Sequence, residues 1–86
     1  MSRIERIKAV LEDAFKPTEL VIEDESHQHA GHYESDQDET HLALRIVSEA
    51  FESMSLVKRH QAIYKLLNDE LQSGLHALKI DARPSA

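Results

Sequence analysis

Apolar residues recur near the start of the chain with the spacing of one face of an amphipathic helix. Ser2 and Glu5 stand at the spacing of a capping box, in which the two residues satisfy each other's backbone N–H groups. Pro17 disfavours helical backbone at the residue before it, so we predict that the helix ends at Lys16. Its apolar face consists of Ile4, Ile7, Val10, Leu11 and Phe15.

Two further segments have the pattern of β-strands, and a long polar stretch separates them. Glu19 to Glu25 has a continuous apolar centre, whereas Thr40 to Val47 alternates between apolar and polar residues. The intervening residues, Ser26 to Asp38, have no apolar period and predict an exposed loop. Loops of this length in compact domains are often functional. The side of the second strand that we expect to face the core carries Leu42, Leu44 and Ile46.

The second half of the chain predicts a connector, a long helix and a third strand. Ser48 to Met54 forms the connector, with room for a short helical turn, and Ser55 is a good N-cap for the helix that follows. Gly74 stands where a helix C′ glycine belongs. A strand from Leu75 to Ala82 follows, and residues 82–86 form a frayed tail. The apolar stripe of the helix comprises Leu56, His60, Ile63, Tyr64, Leu67 and Leu71.

The order of these elements, αββαβ, predicts a small α+β domain. The first two strands can pair as an antiparallel hairpin across the loop. The long helix then acts as a crossover that returns the third strand parallel to the second. The result is a mixed three-stranded sheet with both helices on one face. A chain of 86 residues has room for one such domain and no second core, so we assign residues 1–86 to a single domain.

Composition excludes several classes of protein. The chain has no cysteine, so it contains neither disulfides nor a self-sufficient thiolate site for an iron–sulfur cluster. No apolar run approaches the roughly 18–20 residues of a membrane helix, and the charged N-terminus is unlike a signal peptide. We therefore expect a cytoplasmic protein without membrane contact. No catalytic constellation stands out, and two glycines cannot build a glycine-rich phosphate loop, so we expect no enzymatic activity.

Six histidines are an unusual number for a chain of this length, and imidazole is the commonest metal ligand in proteins. Three of them form a His-x-His-x-x-His pattern in the loop, where they either bind a divalent ion such as zinc or copper or remain solvated: His27, His29 and His32. His60 lies in the apolar stripe, so we expect it in the core or at its edge, with a hydrogen-bond partner. His41 opens a strand and is placed to brace the loop. By spacing alone, His76 reads as a partly buried strand histidine with a hydrogen-bond partner.

Four motifs resemble those of the BolA family and follow one another in the same order. They cover nearly the whole chain and comprise Glu25 to His32 in the loop, Glu39 to Leu42 at the entry to the second strand, Leu56 to Tyr64 in the long helix, and Leu75 to Leu78 in the last strand. The resemblance implies a variant of the type II KH fold that lacks the glycine loop with which KH domains clamp nucleotides.

The resemblance also implies a function and its site residues. Members of the family pair with monothiol glutaredoxins and help to hold a bridging 2Fe–2S cluster, in which the glutaredoxin and glutathione supply thiolates and the BolA-like partner supplies histidine. By position in the motifs, the ligands correspond to His76 and His29, with His27 and His32 as the next choices in the loop. We expect a role in iron–sulfur or iron homeostasis. The chain would be a monomer alone and a heterodimer with its partner.

A second function remains open, because some bacterial members of the family are described as DNA-binding transcription regulators. Lys58, Arg59 and Lys65 give the long helix a basic edge that could contact DNA phosphates or an acidic partner. An ordinary solvated helix face explains the same residues, since three cations are few. The net charge of −6 also gives the chain no general attraction to nucleic acid.

Overall fold

The computed structural model describes residues 2–26 and 39–86. The elements follow one another in the predicted αββαβ order, with the second helix in two parts. They are α1 (Arg3–Phe15), β1 (Glu19–Asp24), β2 (His41–Val47), a 3-10 turn (Glu49–Phe51), α2 (Leu56–Leu66), α3 (Asn68–Gln72) and β3 (Ala77–Arg83). No helix in the described ranges is both long enough and apolar enough to cross a membrane.

The first helix forms as its capping box predicts. The Ser2 hydroxyl accepts a hydrogen bond from the Glu5 N–H, and the Glu5 carboxylate accepts one from the Ser2 N–H at 2.9 Å. The helix ends where Lys16 adopts a left-handed conformation with φ 46°. Of the predicted apolar face, Val10 is the exception, because it is exposed rather than packed in the core. The buried members are Ile7, Leu11 and Phe15.

The three strands form one mixed sheet in the order β1-β2-β3, as predicted. β1 pairs antiparallel with β2, from Glu19 opposite Val47 to Asp24 opposite Leu42. β2 pairs parallel with β3, with His41 opposite Ala77 at the first pair. The predicted alternation along β2 is confirmed, since its core-facing residues Leu42, Leu44 and Ile46 are buried.

The last strand is shifted relative to the prediction. It begins at Ala77 rather than Leu75 and continues to Arg83, whose carbonyl accepts a hydrogen bond from the Ser48 N–H at 2.9 Å. Ala82 is buried, so the prediction of a frayed tail from residue 82 was wrong at its first two positions. Pairing with β2 explains the difference, because the parallel register satisfies backbone groups as far as Arg83.

The long helix differs from the prediction in two respects. It breaks at Leu67, where φ −100° and ψ 14° depart from α-helical geometry, although the Leu67 N–H still bonds to the Ile63 carbonyl at 3.0 Å. Its stripe is also narrower than predicted, because Leu56 is 59% exposed while Ile63 and Leu67 are buried. Ser55 caps α2 as expected, accepting a hydrogen bond from the Lys58 N–H.

The connector between β2 and α2 closes one end of the core. Its predicted helical turn is the 3-10 turn, which Ser48 caps through a hydrogen bond from the Ala50 N–H. The buried Ser48 hydroxyl also donates to the Phe15 carbonyl at 2.6 Å. The Phe51 ring packs on the Phe15 ring with centroids 4.8 Å apart. These contacts fix the end of α1 against the end of the sheet.

Candidate functional site

Parallel pairing brings two histidines together at one end of the sheet. His41 is the first residue of β2, and His76 directly precedes β3. Their ring centroids are 5.6 Å apart, with an angle of 38° between the ring planes. We call these two residues the histidine pair. Residues 27–38, which contain the predicted loop ligands His27, His29 and His32, lie outside the described residues.

His76 presents an exposed side chain on a fixed backbone. Its N–H donates to the Thr40 carbonyl at 2.7 Å, and the Ala77 N–H donates to the same oxygen at 3.1 Å. The side chain is exposed. In residues 2–26 and 39–86 the ring has no hydrogen-bond partner and contacts the His41 ring. The interpretation of His76 as a partly buried histidine with a hydrogen-bond partner was therefore wrong.

His41 is half-buried and tied to the residues that flank the loop. Its Nδ1 lies 2.9 Å from the Thr40 hydroxyl, and its N–H donates to the Ser26 hydroxyl at 3.2 Å. The Thr40 N–H donates to the same Ser26 oxygen at 2.9 Å. Ser26 and Thr40 therefore join the end of β1 to the start of β2, on either side of residues 27–38. His41 takes part in this junction, as its predicted bracing role required.

Arg3 connects the N-terminus of α1 to the backbone on both sides of the histidine pair. Its guanidinium donates to the Glu39 carbonyl and the Ser73 carbonyl, each at 3.0 Å. It also binds the Glu70 carboxylate through Nε at 3.0 Å. We call this set of contacts the Arg3 clamp. Glu39 and Ser73 lie just before the segments that carry His41 and His76. The clamp therefore holds the backbone that leads into both histidines.

The electrostatics of the Arg3 clamp depend on Glu70. Arg6 donates to the same carboxylate, with Nε 2.7 Å from Oε2 and Nη2 2.9 Å from Oε1. The Arg6 hydrogen bond, followed by the Arg3 hydrogen bond and the charges of both guanidinium groups, lowers the pKa of Glu70. The carboxylate is mostly buried, with 13% of its side chain exposed. Two cations therefore compensate for the partial burial of one anion.

Two residues of unusual backbone conformation complete this end of the molecule. Glu39 has φ 62°, and its carboxylate accepts a hydrogen bond from the Ile4 N–H at 2.7 Å. Gly74 has φ 133°, and a Cβ at this position would lie 2.9 Å from a terminal nitrogen of Arg3. The glycine expected at the helix end is thus required by conformation and by the approach of Arg3.

The predicted basic edge of the long helix divides into two kinds of residue. Lys58 and Lys65 have exposed side chains. Arg59 instead donates from Nε to the Met54 carbonyl and from Nη1 to the Ala82 carbonyl, both at 3.1 Å. Its guanidinium therefore holds the connector and the end of β3 together. His60 is half-buried on the same helix, consistent with its predicted core-edge position.

The described residues bring two imidazoles together but hold no larger group of metal ligands. Within residues 2–26 and 39–86 no group of three or more His, Cys, Asp or Glu side chains is arranged to hold a metal ion. The histidine pair is the arrangement in this region with donor chemistry suited to a transition metal. The sequence predicts His76 as a ligand, which stays a prediction, and it gave no reason to include His41 among the first ligand candidates. The Arg3 clamp was missed, because the residues that it joins are far apart in the sequence.

Comparisons with known proteins agree on one family. The family model described as BolA-like protein matches residues 11–86. The chain is 56% identical over 90 residues to SufE-like protein 1, chloroplastic/mitochondrial, of Arabidopsis thaliana, covering 99% of this chain and 24% of that protein. It is 41% identical over 80 residues to the DNA-binding transcriptional regulator BolA of Haemophilus influenzae, covering 93% of this chain and 75% of the relative.

The structural comparison gives the same result. The solved structure of BolA1 from Arabidopsis thaliana superposes with a TM-score of 0.86 at 48% identity, covering 96% of this chain and 92% of that one. The chain spans about a quarter of the length of the SufE-like relative and about half (51%) of the chloroplastic BOLA1 protein of the same plant. The family match and the fold agree, and this chain belongs to the BolA-like protein family.

Proposed function

We propose that this protein is a non-catalytic adaptor that binds a monothiol glutaredoxin and contributes histidine to a bridging 2Fe–2S cluster, in iron–sulfur or iron homeostasis. The observation that carries the proposal is the exposed imidazole of His76 on a backbone that Thr40 holds in place. An exposed ligand on a rigid support can reach a group that another protein holds. The second ligand that we propose is a loop histidine, His29 ahead of His27 and His32.

The donor chemistry of the chain fits a shared cluster. Without cysteine, the chain cannot supply thiolates, so these come from the glutaredoxin and glutathione. Imidazoles replace thiolates on one iron of Rieske-type clusters, so a histidine is a suitable ligand for the remaining position. When bound, the cluster would supply iron whose ligation two proteins share. The chain's own part is to hold His76 in place through the Thr40 carbonyl and the Arg3 clamp.

Anaerobic co-purification with a monothiol glutaredoxin and glutathione, followed by an absorption spectrum, tests this function. We expect a stable heterodimer with visible absorption from the cluster. His76→Ala should lose that absorption, whereas the matched variant His60→Ala should keep it. His60 follows Arg59 on α2, and Arg59 bonds to the Ala82 carbonyl at the opposite end of β3 from His76. An unchanged spectrum for His76→Ala would show that the ligand assignment is wrong. Failure of the two wild-type proteins to associate would show that the partner is wrong.

A DNA-binding regulator is the second candidate, favoured by the similarity to the DNA-binding transcriptional regulator BolA of Haemophilus influenzae. The residues to test are Lys58 and Lys65, since the guanidinium of Arg59 is engaged with backbone carbonyls. If the chain binds DNA through α2, Lys58→Ala with Lys65→Ala should weaken binding and flatten its salt dependence. The adaptor function predicts no measurable affinity for DNA at physiological salt, either in the wild-type protein or in the double variant.

Cytoplasmic placement stays a prediction, because plant relatives carry chloroplastic or mitochondrial names.

A further inference from the structure

The histidine pair lies at the end of the sheet that the proposed function uses, but its geometry points to a second ligand. We infer that His41 and His76 together form a two-imidazole site for a divalent transition metal, with zinc as the best fit, on this chain alone. The site requires no glutaredoxin and none of residues 27–38. It therefore differs in both ligand and ligand set from the shared cluster, for which we propose His76 and a loop histidine.

The distance between the rings suits one tetrahedral ion. A Zn–N bond is about 2.0–2.1 Å long, and the ring centre lies about 1.1 Å beyond the nitrogen, which puts each centroid about 3.2 Å from the metal. At a tetrahedral angle, two such centroids are about 5.2 Å apart. The observed separation is 5.6 Å. The ring separation is therefore within about 0.4 Å of the value for two imidazoles on one tetrahedral ion.

Thr40 supports both members of the pair. Its hydroxyl lies 2.9 Å from Nδ1 of His41, so His41 would coordinate through Nε2. A hydrogen bond at the opposite ring nitrogen is typical of metal-binding histidines, because it fixes the tautomer and the ring orientation. The Thr40 carbonyl accepts the His76 N–H at 2.7 Å and so fixes the backbone of the second ligand. One residue thus preorganises both imidazoles.

Two protein ligands leave the remaining tetrahedral positions to water or to a ligand from outside. Structural zinc sites have four protein ligands and catalytic sites have three, so a site with two should bind zinc more weakly than either. We therefore expect binding in the micromolar range. The net charge of −6 makes the chain as a whole attract a divalent cation rather than an anion.

Calorimetric titration with zinc tests the site in a chain where His27, His29 and His32 are all changed to Ala, so that the loop imidazoles cannot contribute. We expect one equivalent of zinc to bind with micromolar affinity. Long-range proton–nitrogen spectra should show shifts at the ring nitrogens of His41 and His76. In the same background, His41→Ala and His76→Ala should each weaken binding at least tenfold, while the matched variant His60→Ala should not. The inference would be overturned if no zinc bound in this background, or if His41→Ala and His76→Ala both bound zinc as tightly as the background protein.

Thr40→Val provides a second test, because valine keeps the side-chain shape and the backbone carbonyl but removes the hydroxyl. Removing such a supporting hydrogen bond typically weakens metal binding 10–100-fold, so we expect about a tenfold loss with an unchanged fold by circular dichroism. Unaltered affinity would contradict the role of Thr40 in orienting His41.

The zinc site and the shared cluster can fail separately. His41→Ala should weaken zinc binding at least tenfold and spare the visible spectrum of the glutaredoxin complex, whereas His76→Ala should weaken zinc binding and also abolish that spectrum. A cluster without zinc binding leaves the proposed function standing and removes this inference. Zinc binding without a cluster leaves this inference standing and removes the proposed function.

Discussion

Two arginines bind backbone carbonyls at opposite ends of the sheet. Arg3 holds the Glu39 and Ser73 carbonyls beside the histidine pair. Arg59 holds the Met54 and Ala82 carbonyls near the far end of β3. Because β2 and β3 run parallel for seven residues each, the two ends are about 20 Å apart.

The two arginines differ in their electrostatic surroundings. The guanidinium of Arg3 shares a carboxylate, Glu70, with Arg6. The hydrogen bonds of Arg59 in the described part of the chain go to neutral carbonyls. Arg3 should therefore influence stability, the pH dependence of stability and the geometry of the histidine pair, whereas Arg59 should influence stability alone. Similar contacts at the two ends thus have different functional consequences.

Arg3→Met should have the largest effect. The variant keeps an apolar stem but loses three contacts, one of them to a carboxylate, and the Arg3 side chain is only 14% exposed. Hydrogen bonds to charged groups contribute about 1.5–3 kcal/mol each and do not add fully, so we expect a loss of about 3 kcal/mol. Urea unfolding measures this loss. Zinc affinity should fall about tenfold, because the backbone that leads into both histidines is no longer held by Arg3.

Arg6→Met is the matched control for Arg3. Arg6 binds the same carboxylate, but its side chain is 44% exposed. We expect a smaller loss of stability than for Arg3→Met and no change in zinc affinity, because solvent screens an exposed ion pair. Equal losses of affinity in the two variants would show that Glu70, rather than the Arg3 carbonyl contacts, orders the histidine pair.

Arg59→Met should have the next largest effect, about 1–2 kcal/mol, and should be silent at the histidine pair. The Arg83 carbonyl bonds toward β2, so the neighbouring Ala82 carbonyl faces the outer edge of β3, where Arg59 satisfies it. Loss of the guanidinium leaves that carbonyl to water. Urea unfolding and zinc titration of the same preparation check both parts. Weaker zinc binding in this variant would mean that the two ends of the sheet are coupled.

Glu70→Gln should remove a pH-dependent part of the stability. The lowered pKa of Glu70 means that its stabilisation is fully present above the ordinary carboxyl pKa of 4.5 and disappears as pH falls through the folded-state value. We expect the difference in unfolding free energy between wild type and Glu70→Gln to be largest at pH 7 and to shrink steadily below about pH 4.5. Urea unfolding at pH 7, 5, 4 and 3 measures it. A difference that stays constant with pH would contradict the ionic role of Glu70.

Local patterns predicted most of the fold, because their causes are local. The capping box of Ser2 and Glu5 and the alternation along β2 involve residues within a turn or a strand of one another. Gly74 was predicted from the local conformation of a helix end, although the close approach of the distant Arg3 also requires it. The break at Leu67 and the exposure of Leu56 were missed, since helical periodicity continues through both and only packing against the sheet decides them.

The site was predictable only in part. His76 could be selected through its family resemblance, but its neighbour His41 is 35 positions away in the sequence and becomes adjacent only through the parallel register. Arg3 and Glu70 are 67 positions apart, and no pattern along the chain connects them. The sequence does not show which charged residues of a polar helix face will bond to a distant carbonyl and which will remain exposed. Arg59 shows this most clearly, because its neighbour Lys58 carries the same charge and is exposed.

Lys58→Ala with Lys65→Ala should have the smallest effect and completes the comparison with Arg59. Both lysine side chains are exposed, and substitutions at such positions usually change stability by less than about 0.5 kcal/mol. We expect urea unfolding and zinc affinity to be indistinguishable from wild type. A loss above about 1 kcal/mol would mean that α2 depends on its whole basic edge, rather than on Arg59, to stay attached to the sheet. If stability is unchanged, any effect of this double variant on DNA or glutaredoxin binding can be assigned to the surface itself, since the fold that presents it is intact.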